Sequence, residues 1–301
     1  MSALVGVSRR QQGLTIIELI VVMVLISIVA AGVASIVGPS VQSYAGVKLR
    51  AQMTDESDTA VRRMVNDVQR AVPNSIRSPN NQCFELIPAS AGGRYRMAAD
   101  ASPGHDSAGC SPSTTCSAPL DTTKSTAVFD SLSTLPITPA NGDWIVVNNQ
   151  NGNDVYDGTN RSAITGFAAA PASWMGAHRI NINAKQFSQG YDGGRYQVVP
   201  NNQRAVFYVC SGADGTTDAS GTGKGVLYRL KNYGFNSSYP SACPSVVGAD
   251  VILKGIVTCA VTYSPNQGST QQSGYLLLDL DLSRNAEAVH LTMGAHVANA
   301  P

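Results

Sequence analysis

One stretch near the N-terminus constrains this chain more than any other: a short basic leader that ends in Gly13, followed by a long apolar run. Residues 19–37 contain no charged side chain. The run from residue 14 to residue 37 is long enough to cross a bilayer as one helix. Glu18 interrupts its apolar character near the start, where an ionisable side chain is unfavourable and therefore indicates a function.

Three ordinary interpretations of this stretch compete. Thr15 and Glu18 have the spacing of a capping box, in which both side chains satisfy free backbone N–H groups at a helix start. A secretory signal cleaved at residues 32–34 is the second, but such signals rarely place a carboxylate in their apolar core. Twin-arginine export is the third, and it is disfavoured because Gln12 and Gly13 stand where apolar residues would be expected.

The combination of a basic leader, Gly13, the Thr-x-x-Glu spacing and an apolar helix resembles the signal of type IV prepilins. This resemblance implies that the leader, residues 1–13, is cut after Gly13 and that Leu14 becomes the N-methylated new N-terminus. Leu14 departs from the phenylalanine that is commoner there in the family. The resemblance also implies that Glu18, the fifth residue of the mature chain, acts in assembly.

Length and charge limit the number of domains and the partners that the remaining chain can have. Removing thirteen residues from 301 leaves 288, enough for one large domain or a domain with a substantial insertion. The formal net charge is +1, and it becomes −1 when Arg9 and Arg10 leave with the leader, so no nucleic-acid partner is indicated. The same arginines predict a cytoplasmic N-terminus and export of the bulk of the chain.

All six cysteines follow the apolar run, and this even count indicates disulfides formed in an oxidising compartment. The cysteines are Cys83, Cys110, Cys116, Cys210, Cys243 and Cys259. Cys110 and Cys116, in a Pro/Ser/Thr-rich loop, are the best candidates for a local bridge, and the other pairings stay open. The four histidines do not have zinc-ligand spacing with the cysteines, so neither a metal nor a cofactor is predicted.

One long helix is predicted from residue 15 to residue 72, roughly 85 Å at the usual helical rise. Residues 14–40 would form its transmembrane and assembly half, and residues 41–76 its amphipathic half. Pro39 removes one backbone donor and is predicted to kink the helix rather than end it. Apolar residues at helical spacing mark the face predicted to pack on a sheet: Val61, Met64, Val65, Val68 and Val72.

Residues 77–301 are predicted to form an exported, β-rich globular domain with loop-rich insertions. Strand patterns occur at residues 84–88, 128–132, 144–148, 205–210, 225–230, 251–263, 275–282 and 288–293. An antiparallel sheet laid on the amphipathic half-helix gives an α+β fold. The prepilin resemblance implies the type IV pilin fold.

Polar residues in the exported domain offer few candidate sites. Residues 148–160 are rich in oxygen-bearing side chains, so calcium is one hypothesis, although the EF-hand spacing is absent and a turn-rich surface loop is favoured. Asp279 and Asp281 alternate on one strand and are interpreted as its solvated side. No catalytic motif of the Gly-x-Ser-x-Gly or His-Glu-x-x-His kind occurs, which argues against an enzyme.

The residues after the apolar run narrow the resemblance. They are similar to MshO-like minor pilins of the mannose-sensitive haemagglutinin (MSHA) pilus at residues 38–44, 49–55, 60–64 and 67–77. Asn160-Arg161 after a Tyr-x-Gly turn and Cys259-x-Val-x-Tyr263 are similar too. The later strands resemble the J-type minor pseudopilin of type II secretion.

The resemblance implies assembly into a filament. Glu18 of one subunit would neutralise the N-terminal amine of a neighbour, because a buried charge is tolerated only when paired. Implied partners are the prepilin peptidase, other major and minor pilins, and an inner-membrane assembly platform with its ATPase. The chain would cross the inner membrane once, with a periplasmic domain, and would reach the cell surface in the pilus.

Two other functions stay open. A type II secretion minor pseudopilin shares every feature of the N-terminal half. A membrane-anchored periplasmic domain with a binding or catalytic role would keep its helix in the bilayer. Cell adhesion is a variant of the pilin interpretation, because the loop-rich middle of the chain could carry it.

Overall fold

The computed structural model describes Gly13 and residues 15–189, 193–267 and 273–298. Residues 1–12 of the leader and Leu14, the residue predicted to be N-methylated, lie outside these ranges. The chain divides into two compact units, Met1–Ala51 and Gln52–Pro301.

A single helix, α1 (Ile16–Gln69), begins just after Thr15 and extends into the second unit. It continues through Pro39 although this residue has no N–H to donate, as the sequence predicts. The kink at Pro39 stays a prediction, and the boundary predicted between residues 40 and 41 falls within the continuous helix.

The end of α1 differs from the prediction by three residues. The sequence places it at Val72, and the structure places it at Gln69. The difference arises because the backbone beyond Gln69 pairs with the segment that follows the second strand. The Val72 N–H donates to the Ile87 carbonyl at 2.8 Å, and the Ala89 N–H donates to the Arg70 carbonyl at 2.9 Å.

Thirteen strands and a short helix, α2 (Asp154–Asp157), follow within the described residues. The first six strands are β1 (Arg77–Asn80), β2 (Cys83–Leu86), β3 (Ala91–Arg94), β4 (Thr126–Ser131), β5 (Trp144–Val147) and β6 (Arg161–Ala169). The others are β7 (His178–Lys185), β8 (Arg195–Val199), β9 (Val206–Ser211), β10 (Gly223–Lys231), β11 (Asp250–Gln267), β12 (Ser273–Arg284) and β13 (Glu287–Ala298).

One sheet of seven antiparallel strands packs against α1. Its order is β1-β2-β9-β10-β11-β12-β13. Apolar side chains of α1 and of β12 and β13 meet around a small internal cavity lined by Val61, Met64, Val65, Val68, Leu276, Leu278, Met293 and Ala295. This packing confirms the predicted α+β class, a long apolar N-terminal helix followed by an antiparallel β domain.

A second antiparallel sheet has the order β3-β8-β5-β6-β7-β4. Its two outer strands are joined by an antiparallel bridge between Tyr95 and Ser131. Two backbone hydrogen bonds flank that bridge, from Leu132 N–H to the Arg94 carbonyl at 2.8 Å and from Arg96 N–H to the Asp130 carbonyl at 2.9 Å. The six strands therefore form a closed ring, and closure removes exposed strand edges.

The six-stranded ring has its own hydrophobic core. The core includes Tyr95, Leu120, Phe129, Ile145, Val147, Ile164, Ile180, Ile182, Phe187, Tyr196 and Val198. The ring lies in the chain between β2 and β9, which pair directly with each other in the seven-stranded sheet. It is therefore an insertion into a hairpin of that sheet, where the sequence predicts loops and two isolated strands.

Polar side chains also join α1 to the seven-stranded sheet. The Tyr208 hydroxyl and the Arg229 guanidinium both donate to Asp67 Oδ2, at 2.7 and 2.9 Å. Nearer the membrane segment, Arg284 donates both terminal nitrogens to the two oxygens of Glu56, at 3.2 and 2.8 Å. The hydrogen bond from Arg284 lowers the pKa of Glu56.

A fully buried ion pair joins β1 to β2. Arg77 and Glu85 side chains are both 0% exposed, and Arg77 Nη2 lies 2.5 Å from Glu85 Oε2. The Arg77 guanidinium also stacks on the Tyr156 ring, at 3.4 Å from its centroid. It donates to the Asn236 carbonyl at 2.9 Å, so this one side chain fastens the α2 segment and the loop after β10 to the sheet.

Replacing Arg77 with methionine is expected to destabilise the fold by about 3–5 kcal/mol, because the Glu85 carboxylate is left buried and unpaired. Burial already raises the pKa of Glu85. A raised pKa in the folded state means that the folded protein binds this proton more tightly, so a larger fraction of Glu85 is neutral at low pH. The loss of stability caused by Arg77→Met should therefore be smaller near about pH 5 than near about pH 8. Urea unfolding of the solubilised chain, followed by tryptophan fluorescence, measures both effects.

Arg62 offers a matched control on α1. Its ion pair with Asp58 is exposed, with 75% and 39% of the two side chains accessible. Arg62→Met should therefore lower the free energy of unfolding far less than Arg77→Met does. Equal losses for the Arg77 and Arg62 variants would contradict the role given to the buried pair.

Two disulfides lie in and beside the seven-stranded sheet. Cys83–Cys243 joins β2 to the loop between β10 and β11, and Cys210–Cys259 joins β9 to β11. The local bridge predicted between Cys110 and Cys116 is not formed in this structure, where both are free thiols. The Cys110 thiol instead donates to Asp106 Oδ1, at a sulfur–oxygen distance of 3.7 Å.

Candidate processing and assembly site

The predicted processing and assembly residues surround the start of α1. Thr15 caps the helix: its Oγ1 accepts a hydrogen bond from the Glu18 N–H at 3.3 Å, and its carbonyl accepts from the Leu19 N–H at 3.2 Å. This is the threonine half of the predicted capping box. Gly13 precedes the cap, and an added Cβ there would meet no atom within 4 Å.

Glu18 lies in the first turn of α1, where a carboxylate also interacts favourably with the helix dipole. Its hydrogen bond to Thr15 comes from the backbone, so the carboxylate itself is not used by the cap. The Glu18 side chain is exposed and lies near the start of the apolar run. A cation brought to this turn by another molecule could therefore reach it.

The surface of α1 that follows Glu18 is apolar on all sides. Every large apolar side chain from Ile16 to Val37 is at least 45% exposed. Three serine hydroxyls donate back to helix carbonyls: Ser27 to Met23, Ser35 to Gly32 and Ser40 to Ile36. These hydrogen bonds leave few polar groups that need water.

An apolar surface of this size must be shielded from water by other apolar groups. This segment is long and apolar enough to cross a membrane, and none of it is buried within the protein. Water in contact with this much hydrocarbon surface is strongly unfavourable, so lipid or other apolar helices must surround the segment. The geometry suits both a bilayer span and packing against similar helices.

The segment considered for calcium is a structured turn. It contains α2, and Asp157 Oδ1 accepts a hydrogen bond from the Thr159 N–H at 2.7 Å, within the segment. Arg161 closes it by donating to the Val155 carbonyl at 2.7 Å while stacking on Phe235 at 4.0 Å. The segment is therefore turn-rich, but it is not the surface loop that the sequence predicts, because five of its side chains are buried: Asn148, Asn149, Val155, Tyr156 and Asn160.

Asp279 and Asp281 lie on the solvated side of β12, as predicted, with about half of each side chain exposed. They flank His290 of β13, whose Nδ1 is 2.8 Å from Asp281 Oδ1. The hydrogen bond with Asp281 is the main cause of the raised pKa of His290. Leu280 and Leu282 are buried on the other face.

Sequence patterns missed two groups of residues that the structure brings together. One is the buried pair of Arg77 and Glu85, which are eight residues apart and have no motif in common. The other is Asp106 beside Cys110 and Cys116; the ligating atoms of these three residues lie within 4.8 Å of one another. The short spacing of the two cysteines predicts that they are close together, but no sequence signal predicts that Asp106 joins them.

Comparison with protein-family models identifies one match, the prokaryotic N-terminal methylation motif, at residues 8–34. This range contains Gly13, Thr15, Glu18 and most of the apolar run. Neither the curated proteins nor the solved structures include a match to this chain. The motif implies processing by a prepilin peptidase and assembly with other pilins, and pilin-like families of this kind are structural.

The motif and the exposed apolar helix both indicate insertion in a membrane. A chain with this signal is inserted in a membrane through the segment that the structure leaves exposed. The long apolar helix followed by an antiparallel β domain is consistent with the type IV pilin fold. The N-terminal methylation motif thus supports a membrane-anchored protein of the type IV pilin-like or pseudopilin kind.

Proposed function

We propose that this chain is a minor pilin of an MSHA-type type IV pilus, a structural subunit that takes part in assembly or initiation of the filament. The proposal rests on the methylation motif together with an apolar helix whose side chains are exposed. The similarity of residues 38–77 to MshO-like minor pilins supports the choice of this pilus.

Assembly would follow from the charges at the helix start. Cleavage after Gly13 would leave a positively charged amine on Leu14, and N-methylation would keep that charge. In a bundle of such helices the amine would be buried among apolar side chains, where it is stable only when paired with an anion. Glu18 of a neighbouring subunit is the anion that the sequence provides at the right depth.

The same helix would serve in both environments of the subunit. Before assembly, lipid would cover residues 16–37 in the inner membrane, with the N-terminus in the cytoplasm and the β domain in the periplasm. After extraction by the assembly platform and its ATPase, neighbouring pilin helices would replace the lipid. The two disulfides of the β domain fit an oxidising compartment such as the periplasm.

A minor pseudopilin of type II secretion is the second candidate, because it would use the same processing and the same helix packing. A periplasmic binding domain that stays anchored is the third. The six-stranded ring offers a module that could contact a surface or a partner, so an adhesive role is a variant of the first candidate.

Deletion of the gene distinguishes the first two candidates. If the chain is a minor pilin, the deletion strain should lose pilus protein from the sheared surface fraction and should still secrete its folded extracellular enzymes. Complementation with the intact gene should restore the filaments. Normal pili together with enzymes trapped in the periplasm would reject the pilus assignment and favour the pseudopilin.

A further inference from the structure

A pair of free thiols faces each other in the long connection between β3 and β4. The Sγ atoms of Cys110 and Cys116 and a carboxylate oxygen of Asp106 all lie within 4.8 Å of one another. Cys116 is buried and Cys110 is partly exposed. The two sulfur atoms are thus close together, with one of them reachable from solvent.

Hydrogen bonds hold this connection in place without a bond between the sulfurs. Asp106 Oδ2 accepts from the Asp100 N–H at 2.7 Å, and Asp106 Oδ1 accepts from the Ser117 N–H at 2.7 Å. On the other side, Arg179 donates to the Cys116 carbonyl at 2.9 Å and to Asp130 of β4 at 2.7 Å. The backbone on both sides of the thiols is therefore fixed to the six-stranded ring.

A metal ion is the less suitable occupant of this cluster. Both oxygens of Asp106 already accept hydrogen bonds from the backbone, so the carboxylate would have to leave these donors in order to bind a metal. Two thiolates alone do not complete the four-ligand shell of a structural zinc site. The two disulfides elsewhere in the domain also indicate that thiols of this chain meet oxidising conditions.

We propose that Cys110 and Cys116 form a third disulfide, and that it can be reduced and reformed while the buried Cys210–Cys259 bond stays intact. Each thiol gives up its proton, and the two electrons pass to a disulfide oxidant such as oxidised glutathione, which leaves as two thiols. The new bond closes a loop of seven residues on the outside of the six-stranded ring.

The selectivity follows from the surroundings of the bonded cysteines. Cys210 and Cys259 are both buried side chains of paired strands, whereas Cys243, the partner of Cys83, is partly exposed in the loop between β10 and β11. Cys110 also lies in an irregular, partly exposed segment. An attacking thiolate must reach a sulfur atom directly, so the Cys110–Cys116 pair should react before Cys210–Cys259.

The charge on Asp106 affects the rate at which the bond between Cys110 and Cys116 forms. The hydrogen bond with Cys116 is the main reason that the pKa of Cys110 is raised, and the Asp106 carboxylate adds to the effect. Because the thiolate is the reactive form, closure should be slow in air near neutral pH and should accelerate as the pH rises.

The test is differential alkylation of the solubilised full-length chain after treatment with oxidised glutathione. N-ethylmaleimide should label none of the six cysteines of the oxidised chain. After a mild reductant, it should label Cys110 and Cys116 while Cys210 and Cys259 stay blocked. Peptide mapping assigns the labels and detects the bond between Cys110 and Cys116. Cys116→Ser is the control, because its Cys110 can only stay a free thiol or form a mixed disulfide with glutathione.

Protease resistance provides a second readout that does not depend on labelling. Closure of the seven-residue loop should slow cleavage within residues 110–116 by about tenfold or more. The double variant Cys110→Ser/Cys116→Ser should show the fast rate under both conditions. Labelling of both thiols after oxidised glutathione would overturn the proposal, and so would thiols that a chelator, rather than a reductant, makes accessible.

Discussion

The Gly13→Arg variant is expected to accumulate with its leader intact and to be absent from filaments. The prepilin peptidase must bring the peptide bond after Gly13 into its active site, and a long charged side chain at this position blocks that approach. The fold is not expected to suffer, because a side chain at Gly13 meets no atom of the protein within 4 Å. Immunoblotting of membrane and sheared fractions should show the unprocessed size in the membrane alone.

Gly32→Ala is the matched control for this variant. Gly32 also has no atom within 4 Å of an added Cβ, but it lies well inside α1 and far along the chain from the cleavage point. Its processing should equal that of the wild type. Efficient cleavage of the Gly13→Arg chain would contradict the assignment of Gly13 as the processing residue.

The Glu18→Ala variant is expected to be processed normally and to enter filaments at least about a hundredfold less than the wild type. An unpaired charge in an apolar bundle is destabilising by about 3–5 kcal/mol, and each 1.4 kcal/mol corresponds to about tenfold in an equilibrium. The helix start should persist, because the Thr15 cap uses the backbone N–H of residue 18. Quantification of the mature chain in membrane and sheared fractions measures the ratio.

Glu18→Asp and Glu18→Gln separate charge from shape. Aspartate keeps the negative charge and should retain part of the incorporation, whereas glutamine keeps the size and should fail almost as completely as alanine. Equal behaviour of the glutamine variant and the wild type would show that pairing with the neighbouring amine is not what Glu18 provides.

The elements that could be predicted are those with a strong local pattern. The apolar run and its helical spacing predict α1, and alternation of apolar and polar residues predicts β10 to β13, which have nine residues or more. β9 is instead indicated by a short, nearly continuous apolar run, and five of its six residues are buried. The strands in the first half of the β domain were harder to predict: the sequence indicates β2, β4 and β5 but not β1, β3, β6, β7 and β8. β1, β3 and β8 have only four or five residues each, too few to show a period. β6 and β7 are longer, but each contains only two large apolar side chains.

Contacts between distant parts of the chain explain the other differences. Closure of the six-stranded ring depends on Tyr95 meeting Ser131, which no local pattern encodes. Likewise, the Cys83–Cys243 disulfide joins residues 160 positions apart. At the proposed processing site the opposite holds: Gly13, Thr15 and Glu18 lie within one helical turn and its approach, so their spacing alone is enough to propose them as site residues.

The most direct test of the account is mass spectrometry of the N-terminal peptide, taken from both the membrane and the sheared surface fractions. The account predicts a peptide that begins at Leu14 and carries one added methyl group, present in both fractions. An intact leader, or an N-terminus near Ser35 of the kind left by a secretory signal peptidase, would contradict it. That result would leave a chain anchored in the membrane or released from it, without a role in a filament.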